Sequence, residues 1–134
     1  MSHPYHQLVR DFFTQLATGT ISDELLCDDI TFWSVNSGLS DTARFKAGIR
    51  ALNAIVDGQI SYEIESITAE EDRAVAVINS HGTLINGDKT ANNHVFVMTI
   101  RDGRVAHVKE FMNVDVVREK IAPLLQQVMA AAQQ

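Results

Sequence analysis

The sequence predicts an α+β domain in which helices come first, an antiparallel meander of strands comes next, and a helix closes the chain. Three observations predict it. Apolar residues recur at helical spacing through the first third, the spacing changes to strict alternation near Ile60, and two hairpin dipeptides, Asn86-Gly87 and Asp102-Gly103, punctuate the alternating region. A length of 134 residues suits one domain over 1–134 with a real core, and 46% hydrophobic with 21% charged residues is a globular balance.

Tyr5, Leu8, Val9, Phe12, Phe13 and Leu16 form the stripe of an amphipathic first helix. Ser2 can cap it, Pro4 is tolerated in its first turn, and Gly19 ends it. Leu25 and Leu26 behind Ser22 suggest a short second helix. Residues 30–35, from Ile30 through Phe32 and Trp33 to Val35, read as a strand closed by Asn36-Ser37-Gly38. A third helix enters at Ser40-Asp41, with Phe45, Ile49, Leu52 and Val56 on one face and Asp57-Gly58 as its stop.

Ile60, Tyr62 and Ile64 then alternate with Ser61, Glu63 and Glu65, as in a strand with one wet face. Polar residues 69–73 make a turn. Further strands span 74–85, 89–100 and 104–112. A last helix, capped by Asp115, runs through Val117, Ile121, Leu124, Leu125, Val128 and Met129, and Pro123 should kink or split it.

Composition narrows the function classes. A net charge of -6 with no basic stripe argues against a nucleic-acid partner. No basic region followed by an apolar run marks a secretory signal, and no stretch nears the roughly 18 apolar residues of a membrane helix. The single cysteine, Cys27, cannot form an internal disulfide and fits a cytoplasmic setting. Its acidic neighbours disfavour a thiolate, so a buried structural role is expected.

Several short motifs carry a family resemblance. They are Ala17-Thr18-Gly19 closing the first helix, residues 26–30 running into a strand, Asn92-Asn93 before a long strand, the turn and strand of 102–105, and residues 109–113. In these the chain resembles the SnoaL-like group of the nuclear-transport-factor-2-like superfamily, which also contains the ketosteroid isomerases. The resemblance implies a cone-shaped, strongly curved antiparallel sheet wrapped around N-terminal helices, with an apolar pocket and commonly a homodimer. Members include isomerases, cyclases and hydratases, and some only bind. The isomerase triad is missing, however. Its oxyanion-hole Tyr falls at Phe12, its base near Ser34 and its second Asp near Asn93.

Hairpin register defines the candidate site. Glu110 falls mid-strand among apolar neighbours, where an unpaired carboxylate is costly to bury. If Asp102-Gly103 is a two-residue loop, Glu110 opposes Val95 and Asn93 opposes Met112. Glu110, Met112, Val108, Asn93, Val95 and Val97 then share one face. Desolvation there would ready Glu110 as a general base or acid, with Asn93 polarising a carbonyl oxygen. The alternative has Glu110 turned outward in a surface ion pair.

His81 faces Asn92 if Asn86-Gly87 is a two-residue loop, and a bulge or longer loop would bring it beside Asn93. Phe32 and Ser34 share a face of the strand that lines the pocket in relatives, so they join Phe12, Val95, Val108 and Met112 as substrate-binding candidates. No metal is expected, because His94 and His107 would lie roughly 13 Å apart along the sheet. On the opposite surface His94, Phe96, Met98, His107 and Phe111 would gather, a face suited to a second subunit.

Two readings stay open. One is a cofactor-free isomerase, cyclase or hydratase acting on a small apolar carbonyl compound. The other is a non-catalytic dimeric ligand-binding or assembly module of the same fold.

Overall fold

In the computed structural model, which describes residues 4–132, the first apolar stripe forms helix α1, Tyr5–Leu16, and buries Val9, Phe12 and Phe13. Pro4 occupies its N-cap position, and the expected Ser2 cap lies outside the described residues. Gly19 comes next with φ of 85°, and a Cβ there would lie 2.6 Å from the Asn53 side chain. Only glycine meets both demands.

The expected short second helix does not form. Ser22 accepts the Glu24 N–H at 3.1 Å as a cap would, but the chain makes one turn and enters strand β1, Leu26–Ser34. The Leu25 carbonyl takes the Val105 N–H at 2.8 Å, which fastens this segment to the sheet and outweighs a single turn of helix. A three-residue strand, β2 (Gly38–Ser40), not foreseen in the sequence, folds back on β1.

Helix α2, Thr42–Ala54, is capped by Asp41, whose side chain accepts the Arg44 N–H at 2.8 Å. It stops earlier than its spacing suggests. Val56 opens strand β3, Val56–Glu70, and pairs with Leu84 instead of continuing the helical face. Strands β4 (Arg73–Leu84), β5 (Lys89–Arg101) and β6 (Arg104–Met112) complete one six-stranded sheet in the order β2-β1-β6-β5-β4-β3. Every pairing is antiparallel except β1 with β6, which is parallel.

Both helices cover one face of the curved sheet, α1 against β3 and β4 and α2 against β1. Phe12, Ile30, Phe45, Ile78, Phe96, Met98 and Val108 fill the core between them. Cys27 is buried, with its sulfur 3.6 Å from the Arg101 carbonyl oxygen.

The closing segment is capped by Asn113, not Asp115, because the Asn113 side chain accepts the Asp115 N–H at 3.0 Å. It continues as a short α-turn (α3, Val114–Val116), a π-helical turn over Val117–Ile121, and α4, Ala122–Ala132. Pro123 lacks the N–H an α-helix would give the carbonyl four residues back, and the widened turn directly precedes it. Leu124 joins Ile55, Val56 and Leu84 in a second core at the sheet's end. Among the described residues, no helix is long and apolar enough to cross a membrane.

Candidate functional site

The site is placed by two hairpins and one extra residue. Asp102-Gly103 is the expected two-residue loop, with φ of 54° and 76° and Arg101 facing Arg104. Two pairs further on, the ladder slips. Ile100 pairs with Val105 but Thr99 pairs with His107, so Ala106 is a β-bulge. The core requires it. Val105 and Val108 are both 0% exposed yet three residues apart, and strict alternation would send one of them outward.

Beyond the bulge, Glu110 shares the inward face of Val108 and pairs with Phe96 instead of Val95. The expectation that Glu110 turns inward therefore agrees with the structure, but its expected neighbours change. Asn93 and Val95 lie on the outer face, where Asn93 Nδ2 donates to Asn79 Oδ1 at 2.5 Å and Val95 is exposed. Asn93 cannot polarise a substrate held by Glu110, and Val95 does not line the inner face.

His81 is also corrected. The β4–β5 loop holds three residues, Ile85-Asn86-Gly87, closed by Leu84 N–H donating to Asp88 O at 2.8 Å with Gly87 at φ of 89°. This register sets His81 opposite Ala91 and on the same face as Asn93, but that face is the outer one. The gathering of His94, Phe96 and Met98 on the outside is likewise reversed. They face inward, while His107 and Phe111 remain outside, His107 Nδ1 lying 2.7 Å from Thr31 Oγ1.

The remaining candidates are mostly committed to packing. Phe12 is 1% exposed and packs edge-on to Phe13 at 5.2 Å between ring centres, so it is core and not cavity wall. Phe32 faces inward and stacks on Phe45 at 5.0 Å. Ser34, buried beside Glu110 in the β1–β6 register, accepts the Asn36 N–H on its hydroxyl oxygen at 3.0 Å. Val108 is fully buried, and Met112 pairs with His94 at the strand's end.

Four residues absent from the sequence-based set, His94, Ser80, Tyr62 and Phe96, complete the arrangement. His94 Nδ1 lies 2.7 Å from Glu110 Oε2, with both side chains about one-eighth exposed, at 12% and 13%. His94 Nε2 lies 2.7 Å from Ser80 Oγ. The Tyr62 ring stands edge-on to the His94 ring at 6.5 Å, and Phe96 stacks beneath it at 5.6 Å. Desolvation first, and the nearby Glu110 charge second, push the Tyr62 phenol well above the usual tyrosine range. It stays a neutral donor.

Tyr62 also connects this cluster to open space. A cleft of about 690 Å³ runs between α1 and β3, lined by Arg10, Phe13, Thr14, Ile60, Tyr62 and Ile64 among others. Phe13 contacts both Tyr62 and Phe96, at 5.9 and 4.9 Å between ring centres. The aromatic wall of the cleft is thus the surround of His94. Among the described residues, no group of three His, Cys, Asp or Glu side chains could hold a metal ion.

The signal for His94 was present in the sequence. On β5 the even positions carry Phe96, Met98 and Ile100, bulkier than Val95, Val97 and Thr99, and the bulkier set is the core set.

Comparison with known proteins gives a family and a fold. The model of the SnoaL-like domain matches residues 9–108. No protein with a curated description matches the chain. A nuclear-transport-factor-2-like protein from Anabaena variabilis superposes with a TM-score of 0.74 at 22% identity, covering 87% of this chain and 96% of its own. A candidate SnoaL-like polyketide cyclase from Jannaschia sp. CCS1 gives 0.73 at 14% identity, covering 89% and 92%. TerC, co-crystallised with polyporic acid, gives 0.73 at 14% identity, covering 87% and 97%.

Proposed function

The chain belongs to the SnoaL-like domain family, and on that premise we propose that it is a small-molecule enzyme that moves protons without a cofactor. The observation that carries this reading is the His94–Glu110 pair, 2.7 Å apart on the sheet's inner face, with the Tyr62 ring standing between His94 and the cleft. A carboxylate oxygen only accepts, so Glu110 holds the proton on His94 Nδ1 and leaves Nε2 of the neutral ring as the base. The imidazolium formed when Nε2 takes a proton is stabilised by the same carboxylate. Tyr62, kept protonated by its surroundings, donates to the oxygen on which enolate charge develops.

The substrate is a small, largely apolar carbonyl compound whose α-proton is removed and returned at another position. Phe13, Ile60, Ile64 and Tyr62 offer it an apolar wall. The likeness to a candidate SnoaL-like polyketide cyclase and to TerC, co-crystallised with polyporic acid, supports a small-molecule substrate. The chain also pairs with a second copy through the outer sheet face, where Phe111 packs on Trp33 at 5.3 Å and remains 41% exposed with Val95 beside it. Phe111→Asp should convert the dimer to monomer in analytical ultracentrifugation.

Solvent-deuterium exchange at the α-carbon of 2-tetralone, followed by NMR, tests the chemistry. The wild-type chain should accelerate exchange over buffer, and Glu110→Gln should slow it by about a hundredfold, the lower range for general acid–base catalysis. Equal rates with and without the protein would remove the reading.

A second reading keeps the fold and drops the catalysis. Glu110, His94 and Ser80 satisfy one another's hydrogen bonds, which is also what a purely structural polar network does. In that case the cleft binds without turnover, and 2-tetralone would bind with no exchange above buffer.

A further inference from the structure

The ring of His94 has a partner on each nitrogen, and the order of those partners carries more than proton transfer. Strands β4, β5 and β6 deliver a hydroxyl, an imidazole and a carboxylate in sequence across the inner face: Ser80 Oγ, His94 and Glu110 Oε2, with 2.7 Å at each step. Glu110 accepts from Nδ1, so Nε2 of the neutral ring is an acceptor and the Ser80 hydroxyl donates to it. That polarity lets a serine oxygen lose its proton to the ring as it attacks an acyl carbon.

We propose that Ser80 is a nucleophile and that the protein accepts an acyl group on it from small activated esters. In the first step Ser80 Oγ bonds to the ester carbonyl carbon while its proton passes to His94 Nε2, and Glu110 stabilises the imidazolium. The tetrahedral adduct collapses by breaking the bond to the alcohol oxygen, which leaves with the proton from Nε2. Water then adds to the acyl carbon, gives a proton to Nε2, and expels the Ser80 oxygen, which recovers it. The products are a carboxylic acid and an alcohol. No oxidant or metal enters.

Two further features fit an acyl acceptor. Tyr62 pairs directly with Ser80 across the β3–β4 ladder, so a phenol donor stands one strand from the oxygen that attacks. Tyr62 also lines the cleft between α1 and β3, which gives a small aryl ester an apolar berth beside it. The inference rests on the same His94–Glu110 pair as the proton-transfer reading, but it adds a covalent bond which that reading does not require.

The test is exposure of the wild-type protein to p-nitrophenyl acetate, with peptide mapping by mass spectrometry. The expected result is one acetyl group per chain on Ser80, with a matching burst of p-nitrophenolate. His94→Gln should acetylate Ser80 about a hundredfold more slowly, the loss typical of a removed general base. Acetyl groups on lysines with none on Ser80 overturn the inference without recourse to any variant. So does Ser80 acetylation at an equal rate in a folded His94→Gln protein. If Ser80 stays unmodified while 2-tetralone exchange still depends on Glu110, this inference alone fails. The opposite pattern removes only the proton-transfer reading.

Discussion

Separating the His94–Glu110 pair should cost stability in a way that a double-mutant cycle can isolate. Glu110→Met removes the carboxylate with little change of length, and His94→Phe replaces the imidazole with an apolar ring. The neutral imidazole donates its Nδ1 proton to a carboxylate oxygen 2.7 Å away, with both side chains little exposed. A hydrogen bond to one charged group of this kind contributes about 1.5–3 kcal/mol.

Each single variant leaves one polar partner on an apolar face, while the double variant leaves neither. The coupling energy from urea unfolding should therefore be about 1.5 kcal/mol or more, with the double variant more stable than the sum of the singles implies. Ser80 loses its ring acceptor in both chains that carry His94→Phe, so that loss cancels in the cycle. Single-variant costs that add to the double within about 0.5 kcal/mol would refute the pairing as an energetic unit.

The same geometry fixes two further outcomes. In a Tyr5→Phe chain Tyr62 is the only tyrosine, and its absorbance titration should begin well above the ordinary value of about 10. The folded chain then holds a proton that the unfolded chain releases. Stability is unaffected below about pH 10 and falls above it by up to about 1.4 kcal/mol per pH unit until Tyr62 ionises in the folded state; a flat urea midpoint over that range would contradict the burial. Deletion of Ala106 leaves Val105 and Val108 two residues apart, so plain alternation keeps both inward and Glu110 opposite Phe96, and urea unfolding should show a loss of no more than about 1 kcal/mol. A loss of about 2–5 kcal/mol, as when a large core side chain is removed, would contradict that register.

The sequence made the architecture legible because its signals are periodic and redundant. The stripe of α1, the Asp41 cap and the Asp102-Gly103 turn each act locally and appear where their chemistry puts them. What it obscured were choices settled by distant contacts. Ser22 makes the expected capping bond, yet the chain enters β1 because the Leu25 carbonyl takes the N–H of Val105, eighty residues on. The site suffered most. One extra residue in β6 exchanged Asn93 and Val95 for His94 and Phe96 beside Glu110, since a single-residue slip turns a whole strand face over. The clue was a pair of core valines at an odd spacing, and it takes a known inner face to read it. In the β4–β5 hairpin, Asn86-Gly87 marked the turn correctly but not its length, because Gly87 at positive φ serves a three-residue loop as well as a two-residue one.

The tautomer of His94 tests the account most directly. In the imidazole ¹⁵N NMR spectrum of the folded protein at neutral or higher pH, with His94 assigned by its loss in His94→Phe, Nδ1 should appear protonated and Nε2 unprotonated. Glu110→Met should shift that balance toward the tautomer usual in free histidine. An averaged, solvent-like ring that ignores Glu110→Met would show that the carboxylate does not hold it, and the proposed chemistry would lose its base.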